Sequence, residues 1–292
     1  MAELAPIAYF PADVQRTPYP GWPHKELLME TIDNGRIAIF TINRPERMNS
    51  SDPGMGRRWY DAWMNFAHDD NIWVGIVTGA GERAFSAGQD LKIRDERETA
   101  AGVGQAAADV VQAGAPVAPV TPIGPRLNCW KPTIAAINGF AIAGGWSTAQ
   151  TCTLRVAADH VEMNIAEARW NQGAGFVGWL PRIIGTGNAA EVCLLADRRI
   201  SAQRGYEMGF VNKVVPKEQL MPTVIDWARD IAGHAPRAIR NFTQLISECW
   251  NLNLTQASAF SSALEYNLRG MDDGKEGPRA FVEKRKANFQ NR

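Results

Sequence analysis

The 292-residue sequence carries no net charge, because 31 lysines and arginines offset 31 aspartates and glutamates. That balance excludes a long-range field steering the molecule onto nucleic acid or an anionic membrane, while leaving room for a local basic patch around one phosphate. Cysteine is scarce. Cys129, Cys152, Cys193 and Cys249 are far apart, with no Cys-x-x-Cys and no short Cys/His spacing, which argues against a disulfide framework or a zinc module and predicts reduced thiols. No apolar run approaches the ~20 residues of a membrane span. The opening residues have neither a hydrophobic signal core nor an Arg/Ser-rich transit pattern, so the expected location is the cytoplasm. His24, His68, His160 and His234 fall outside every motif described below, and no metal site is expected.

What is present is ordinary globular composition: 45% hydrophobic and 21% charged residues, ample for a buried core and without a signature of disorder. The length fits one large domain or two smaller ones. Residues 1–25 contain Pro6, Pro11, Pro18, Pro20 and Pro23, too many locked φ angles and missing amide donors for a helix or a central strand, and read as an extended arm on the surface. Residues 26–215 read as the core and 216–292 as a helical C-terminal region.

Within the core, two apolar runs flank Asn34-Gly35, the dipeptide that most favours a tight hairpin turn. Trp59, Trp63, Phe66 and Ala67 recur at helical spacing ahead of a buried strand from Trp73 to Thr78. A second strand, Thr133 to Asn138, leads into a segment of helical character from about Gly144 through Ala158. Strands alternating with helices predict an α/β layer fold. Residues 100–124, rich in Ala, Gly and Pro, read either as a helix with a mobile lid or as a plain loop with a short helix. Beyond Thr186 the pattern is mostly helical, with amphipathic stretches near 188–196, 202–209, 221–234 and 236–269. No internal repeat is visible.

Two strand exits are built from small residues: Arg83 to Leu91 (RAFSAGQDL) and Asn138 to Trp146 (NGFAIAGGW). Small side chains there let a ligand approach the backbone, and amides at a helix start point outward with the positive end of the dipole. Two such amides facing one another would form an oxyanion hole. Jointly with Thr41 to Asn49 (TINRPERMN), Val77 to Gly81 (VTGAG) and Ile137 to Ala141 (INGFA), in this order and spacing, they make the sequence resemble the enoyl-CoA hydratase/isomerase (crotonase) superfamily. Arg155 to Ala158, Ala202 to Pro216 and Phe281 to Phe289 extend the resemblance from about Lys25 to the C-terminus.

The resemblance implies a spiral of ββα repeats with a C-terminal helical trimerisation region, and a homotrimer or homohexamer. It implies an acyl-CoA substrate, with no cofactor beyond the CoA that the substrate itself carries, and neither nucleic acid nor membrane as a partner. It places the oxyanion-hole amides at Gln89 and Gly144 and the acid/base positions at Ser147 and Glu167. CoA-binding positions fall on Arg47, Met48, Ala87, Asp90 and Lys284. Preorganised amide donors of this kind stabilise a developing oxyanion by roughly 3 to 4 kcal/mol each.

Ser147 departs from the two-glutamate pattern of hydratases. A hydroxyl is no general base near neutral pH without a partner to take its proton, so Glu167 is expected to act as the one catalytic carboxylate. The loop after it, Gly173 to Trp179, also lacks the family's usual proline-glycine turn. Related single-glutamate isomerases, and hydroxycinnamoyl-CoA hydratase-lyases with serine at the first position, both remain open. The lyase tyrosine aligns near Leu264, two residues from Tyr266. A non-catalytic CoA-binding homologue is the rival from another class. Trp146 and Trp170 are either core residues or walls of an aromatic acyl pocket.

Overall fold

The Asn34-Gly35 turn forms as expected. Asp33, Asn34 and Gly35 all take positive φ (51, 56 and 85°), the backbone that a tight turn between twisted strands demands. They join β2 (Leu27–Ile32) to β3 (Ile37–Ile42) in an antiparallel hairpin. The structure, a computed structural model of the chain, describes residues 4–101 and 129–292. Ahead of the hairpin the proline-rich arm runs along the surface. Its strand β1 (Thr17–Pro18) pairs with β2 at the sheet edge, where a missing amide donor is tolerated.

After the hairpin comes α1 (Met55–His68), whose inward face is Met55, Trp59, Ala62, Trp63 and Phe66. Trp59 stacks on Trp63 at 4.7 Å, and Phe40 of β3 meets Trp63 and Phe66 edge-on at 4.7 and 5.6 Å. Such pairs add about 0.5 to 1.5 kcal/mol each beyond the area they bury. The chain then repeats one theme: β4 (Val74–Gly79), β5 (Ala84–Ser86) and α2 (Leu91–Ala101); β6 (Thr133–Ile137), β7 (Phe140–Ile142) and α3 (Gly144–Thr151). A third pair, β8 (Leu154–Ala158) and β9 (Glu162–Asn164), is followed by irregular 3₁₀ turns and the short helices α4 (Pro181–Ile184) and α5 (Thr186–Leu194).

Each repeat gives its first strand to one sheet and its second strand to another. The large sheet has the order β1-β2-β3-β4-β6-β8-β11 and the small one β10-β9-β7-β5. Strands β3, β4, β6, β8 and β11 are parallel, as are β5, β7 and β9. The last strands, β10 (Ile200–Ser201) and β11 (Lys213–Val215), bracket α6 (Ala202–Glu207), and α7 (Leu220–Ala232) packs on β4, β6 and β8. The C-terminal helices are α8 (Pro236–Glu248), α9 (Leu254–Tyr266) and α10 (Asp273–Val282).

Two expectations need correction. Helical character does not persist to Ala158: α3 ends at Thr151, Cys152 turns extended (φ −75°, ψ 148°), and Leu154–Ala158 is strand β8, held between β6 and β11. Small apolar residues such as Val156, Ala157 and Ala158 suit either state, and pairing on both sides decides it. The region beyond Thr186 is mostly helical as expected, with two short strands among the helices. Finally, 236–269 is two helices, because the Asn253 side chain accepts from the Gln256 amide while Gln256 reaches back, a capping box that restarts the helix. Residues 102–124 of the expected lid lie outside the described residues.

Candidate active site

Parallel strands that share an edge also share an exit end, and β5, β7 and β9 are neighbours running the same way. Their C-terminal ends therefore deliver three segments to one crevice: Ala87 to Gln89, Ala143 to Ser147, and Ile165 to Glu167. Crevices beyond the carboxyl ends of parallel strands are where open α/β sheets bind ligands.

The first two segments touch. Gly88 has φ +82°, and a Cβ on it would lie 2.8 Å from the Gly144 nitrogen. A Cβ on Gly144 would lie 3.2 Å from the Gly88 Cα and 3.9 Å from the Gln89 nitrogen. Gly88 has no room for a Cβ, and one on Gly144 would crowd the approach. The Ser51 amide donates to the Gly88 carbonyl (2.7 Å) and the Asp90 amide to the Ser51 carbonyl (3.0 Å), which leaves the intervening Gln89 amide facing the other way. Neither the Gln89 nor the Gly144 amide has an acceptor among the described residues. Two N–H groups side by side without an acceptor among the described residues can donate to one oxygen.

Several residues without an expected role hold this geometry. Asn49, itself at φ 54°, donates to the Ala80 and Ala84 carbonyls and accepts from the Arg44 amide. Ser86 donates to the Asn49 carbonyl and accepts from the Gly88 amide. Ala143 sits at φ 54°, ψ −119°, a strained backbone for a residue with a side chain, and its amide is held by the Asn164 carbonyl at 2.9 Å. That strain turns the next amide, on Gly144, into the crevice. An asparagine before a tight approach is a readable sequence signal. A strained alanine leaves none.

Glu167 opens the 3₁₀ turn after β9 and is only 8% exposed. Its Oε2 is buried without a hydrogen-bond partner among the described residues. Burial pushes its pKa up, opposed by the backbone amides of Glu167 and Ala166. Cys193 on α5 is near enough for the Glu167 charge to add to the rise that burial imposes on its thiol. A carboxylate with one free oxygen and a raised pKa is a better proton acceptor than one paired with a cation. Ser147 lies on α3, one turn after the Gly144 amide, and is 6% exposed.

The other expected positions divide. Met48 (φ 54°) is half-buried and its carbonyl takes the Ala87 amide at 3.0 Å, which ties these two residues together, with Arg47 exposed beside them. The Asp90 carboxylate is taken up by Arg44 (3.2 Å) and the Ser50 hydroxyl, and it faces the start of α2, which makes it a brace within the protein. Lys284 is exposed at the end of α10, while the adjacent Arg285 is locked to Glu276 and Glu283.

Trp146 does not line a pocket. It is fully buried, stacked on Phe210 at 4.1 Å with its indole N–H donated to Gln150. Trp170 and Trp179, 51% and 37% exposed, flank the loop after Glu167 instead. Cβ atoms on Gly173, Gly175 and Gly178 of that loop would meet nothing within 4 Å. Leu264, where a lyase tyrosine was expected, lines a separate cavity beside Lys131 ahead of β6, and Tyr266 is 66% exposed.

The profile of the enoyl-CoA hydratase/isomerase family matches residues 32–292, nearly the whole chain. The chain belongs to the enoyl-CoA hydratase/isomerase family. It is 33% identical over 259 residues to the (E)-benzylidenesuccinyl-CoA hydratase of Thauera aromatica, covering 88% of this chain and 96% of that protein. It is 32% identical over 264 residues to the short-chain-enoyl-CoA hydratase of Clostridium acetobutylicum, with the same coverage. The crystal structure of an enoyl-CoA hydratase from Bacillus anthracis superposes with a TM-score of 0.80 at 29% identity, over 92% of this chain and all of the other. Membership in this family makes the protein an enzyme and gives its α/β architecture the crotonase fold. Among the described residues no helix is long and apolar enough to cross a membrane.

Proposed function

We propose that the protein moves a proton at the α-carbon of an enoyl-CoA thioester, with the Gln89 and Gly144 amides as oxyanion hole and Glu167 as its single catalytic carboxylate. The observation that carries this reading is the buried, unpartnered Oε2 of Glu167 at the exit of β9, on the strand adjoining the one that delivers the Gly144 amide. The thioester oxygen accepts from both amides and gains negative charge as an enolate forms. Amides fixed in position stabilise that charge without reorganising.

One carboxylate suffices for two outcomes. In double-bond migration Glu167 takes a proton from one carbon of the allylic system and returns it to another. In hydration it takes a proton from water as the oxygen bonds to Cβ, then delivers that proton to Cα. Ser147 positions the water or the acyl chain in either case, since its hydroxyl has no base to activate it. The hydratase names of the relatives favour hydration. Substitution of the usual first glutamate by Ser147 favours migration. Lyase cleavage ranks below both, because Tyr266 stands on α9 in an exposed position.

Arg47, Met48, Ala87 and Lys284 are the proposed CoA contacts, Lys284 reaching the nucleotide of a neighbouring subunit. The assembly is a trimer or a pair of trimers formed through the C-terminal helices of residues 216–292, whose exposed apolar side chains include Phe242, Ile246, Trp250, Leu254, Phe281 and Val282.

Mass spectrometry of products from 2-enoyl-, 3-enoyl- and hydroxycinnamoyl-CoA thioesters tests the reading. Addition of water marks hydration, an isobaric change marks migration and release of acetyl-CoA marks cleavage. Turnover should fall by about 100-fold or more in Glu167→Gln while CoA affinity is kept, as for loss of a proton-transfer group. Full turnover in that variant would remove Glu167 from the chemistry.

A further inference from the structure

Helix α8 is built inside out. Arg237, Arg240, Asn241 and Gln244 recur at i, i+3, i+4 and i+7 on one face, and that polar face is turned toward the body of the protein. Apolar Phe242 and Ile246, on the opposite side of the helix, are 59% and 65% exposed. A helix that turns its charges inward needs something there to receive them.

What the polar face meets is a cavity of about 750 Å³, between α8, the residues ahead of β6 and the segment following α9. Its volume is that of a small-molecule site. Lys131, Arg237, Arg240, Arg269 and Arg292 line it, the terminal carboxyl of Arg292 accepting from the Asp273 amide (2.9 Å), and no aspartate or glutamate side chain lines it among the described residues. Lys131 is 2% exposed and donates to the Phe66 and Asp69 carbonyls at the end of α1, so its charge is satisfied by helix carbonyls but not neutralised. Arg240 lines the cavity while its Nε and Nη2 are covered by protein, with no acceptor among the described residues. The carboxylate whose charge reaches both Arg240 and Lys131 is Asp70, which is not part of the lining, and the Cys129 thiol, which is, acts on both as well. A partly desolvated guanidinium short of acceptors is costly, and a group of cations around one cavity is neutralised best by an oxyanion.

We propose that this cavity binds a small, multiply charged oxyanion of the phosphate or polycarboxylate class, held by the charges of Lys131 and Arg240 within and of Arg237 and Arg269 at the mouth. The site is distinct from the thioester crevice: it lies ahead of β6, whereas Gly144 follows β7. It does not depend on which reaction that crevice performs.

The test is calorimetric titration of the intact protein with pyrophosphate and, separately, with citrate, at constant ionic strength and with CoA present in saturating amount, so that phosphate-binding positions of the thioester crevice are filled. Saturable binding is expected for at least one anion, weakened about 10- to 100-fold in Arg240→Gln and also in the mouth variant Arg237→Gln, the range for losing a charge-assisted hydrogen bond. Preference between the anions tells phosphate from carboxylate. Catalytic turnover should be unchanged in Arg237→Gln, which shows that variant to be folded. Absence of binding by both anions overturns the proposal, as does binding by both variants as strong as by the wild type. So does a fall in oligomer mass in Arg240→Gln without anion binding by the wild type, since Arg240 would then be pairing with a second copy.

Discussion

Glu167 carries a conflict between stability and chemistry. Its carboxyl is buried with one oxygen unpartnered among the described residues, and burial raises its pKa above the ordinary value of about 4.3. The unfolded chain therefore ionises first as pH rises. Stability falls across the window between the unfolded and the folded pKa, and the loss is complete above the latter. Glutamine in the same place has no charge to desolvate. Glu167→Gln should be more resistant to urea than the wild type at pH 7.5, with the difference vanishing below pH 4, as equilibrium unfolding at the two values would show. A variant that is less stable at pH 7.5 would mean that the ionised carboxylate is well solvated or paired. The same side chain was reachable from the sequence only through its spacing to the glycine motif. A glutamate viewed alone resembles any surface glutamate.

At the scale of elements, the junction of β5, β7 and α3 fixes both amides, and its two adjacent glycines serve different ends. A methyl on Gly145 would fall 2.0 Å from the Ser86 carbonyl oxygen, an overlap that the packed backbone cannot relieve. A methyl on Gly144 would instead stand 3.2 Å from the Gly88 Cα, beside the Gln89 amide. Gly145→Ala should cost on the order of 3 kcal/mol of stability or prevent folding. Gly144→Ala should fold and lose roughly 100- to 1,000-fold in turnover, the effect of disabling one oxyanion donor. Thermal unfolding paired with steady-state kinetics distinguishes the two. Legibility followed the same line. The Asn34-Gly35 hairpin, α1 with its aromatic face and the strand exits at Gly88 and Gly144 could be read locally, because turn chemistry and periodicity are local. Strand β8 and the strained Ala143 could not, because one is decided by partners on both edges and the other by the Asn164 carbonyl from a different repeat. The ββα repetition itself is a matter of topology, with no repeated sequence to announce it.

At the scale of the whole molecule, the C-terminal helices leave large apolar side chains in water, among them Leu254, Phe281 and Val282 at 83, 85 and 79% exposure. Apolar patches of this kind mark contact surfaces. Sedimentation equilibrium should give a mass of three or six chains of 32.1 kDa, and a monomer at micromolar concentration would contradict the proposed assembly. The cationic cavity at α8 escaped the sequence because its residues are scattered from Lys131 to Arg292, and the zero net charge of the chain conceals them. The central claim, however, concerns the thioester crevice: two backbone amides and one carboxylate are enough to form and quench an enolate. The direct measurement is proton NMR of solvent deuterium entering the α-carbon of a 3-enoyl-CoA in heavy water. Deuterium should appear at the α-carbon with the wild type, and at least 100-fold more slowly with Glu167→Gln. Exchange at the same rate in both proteins would contradict the account.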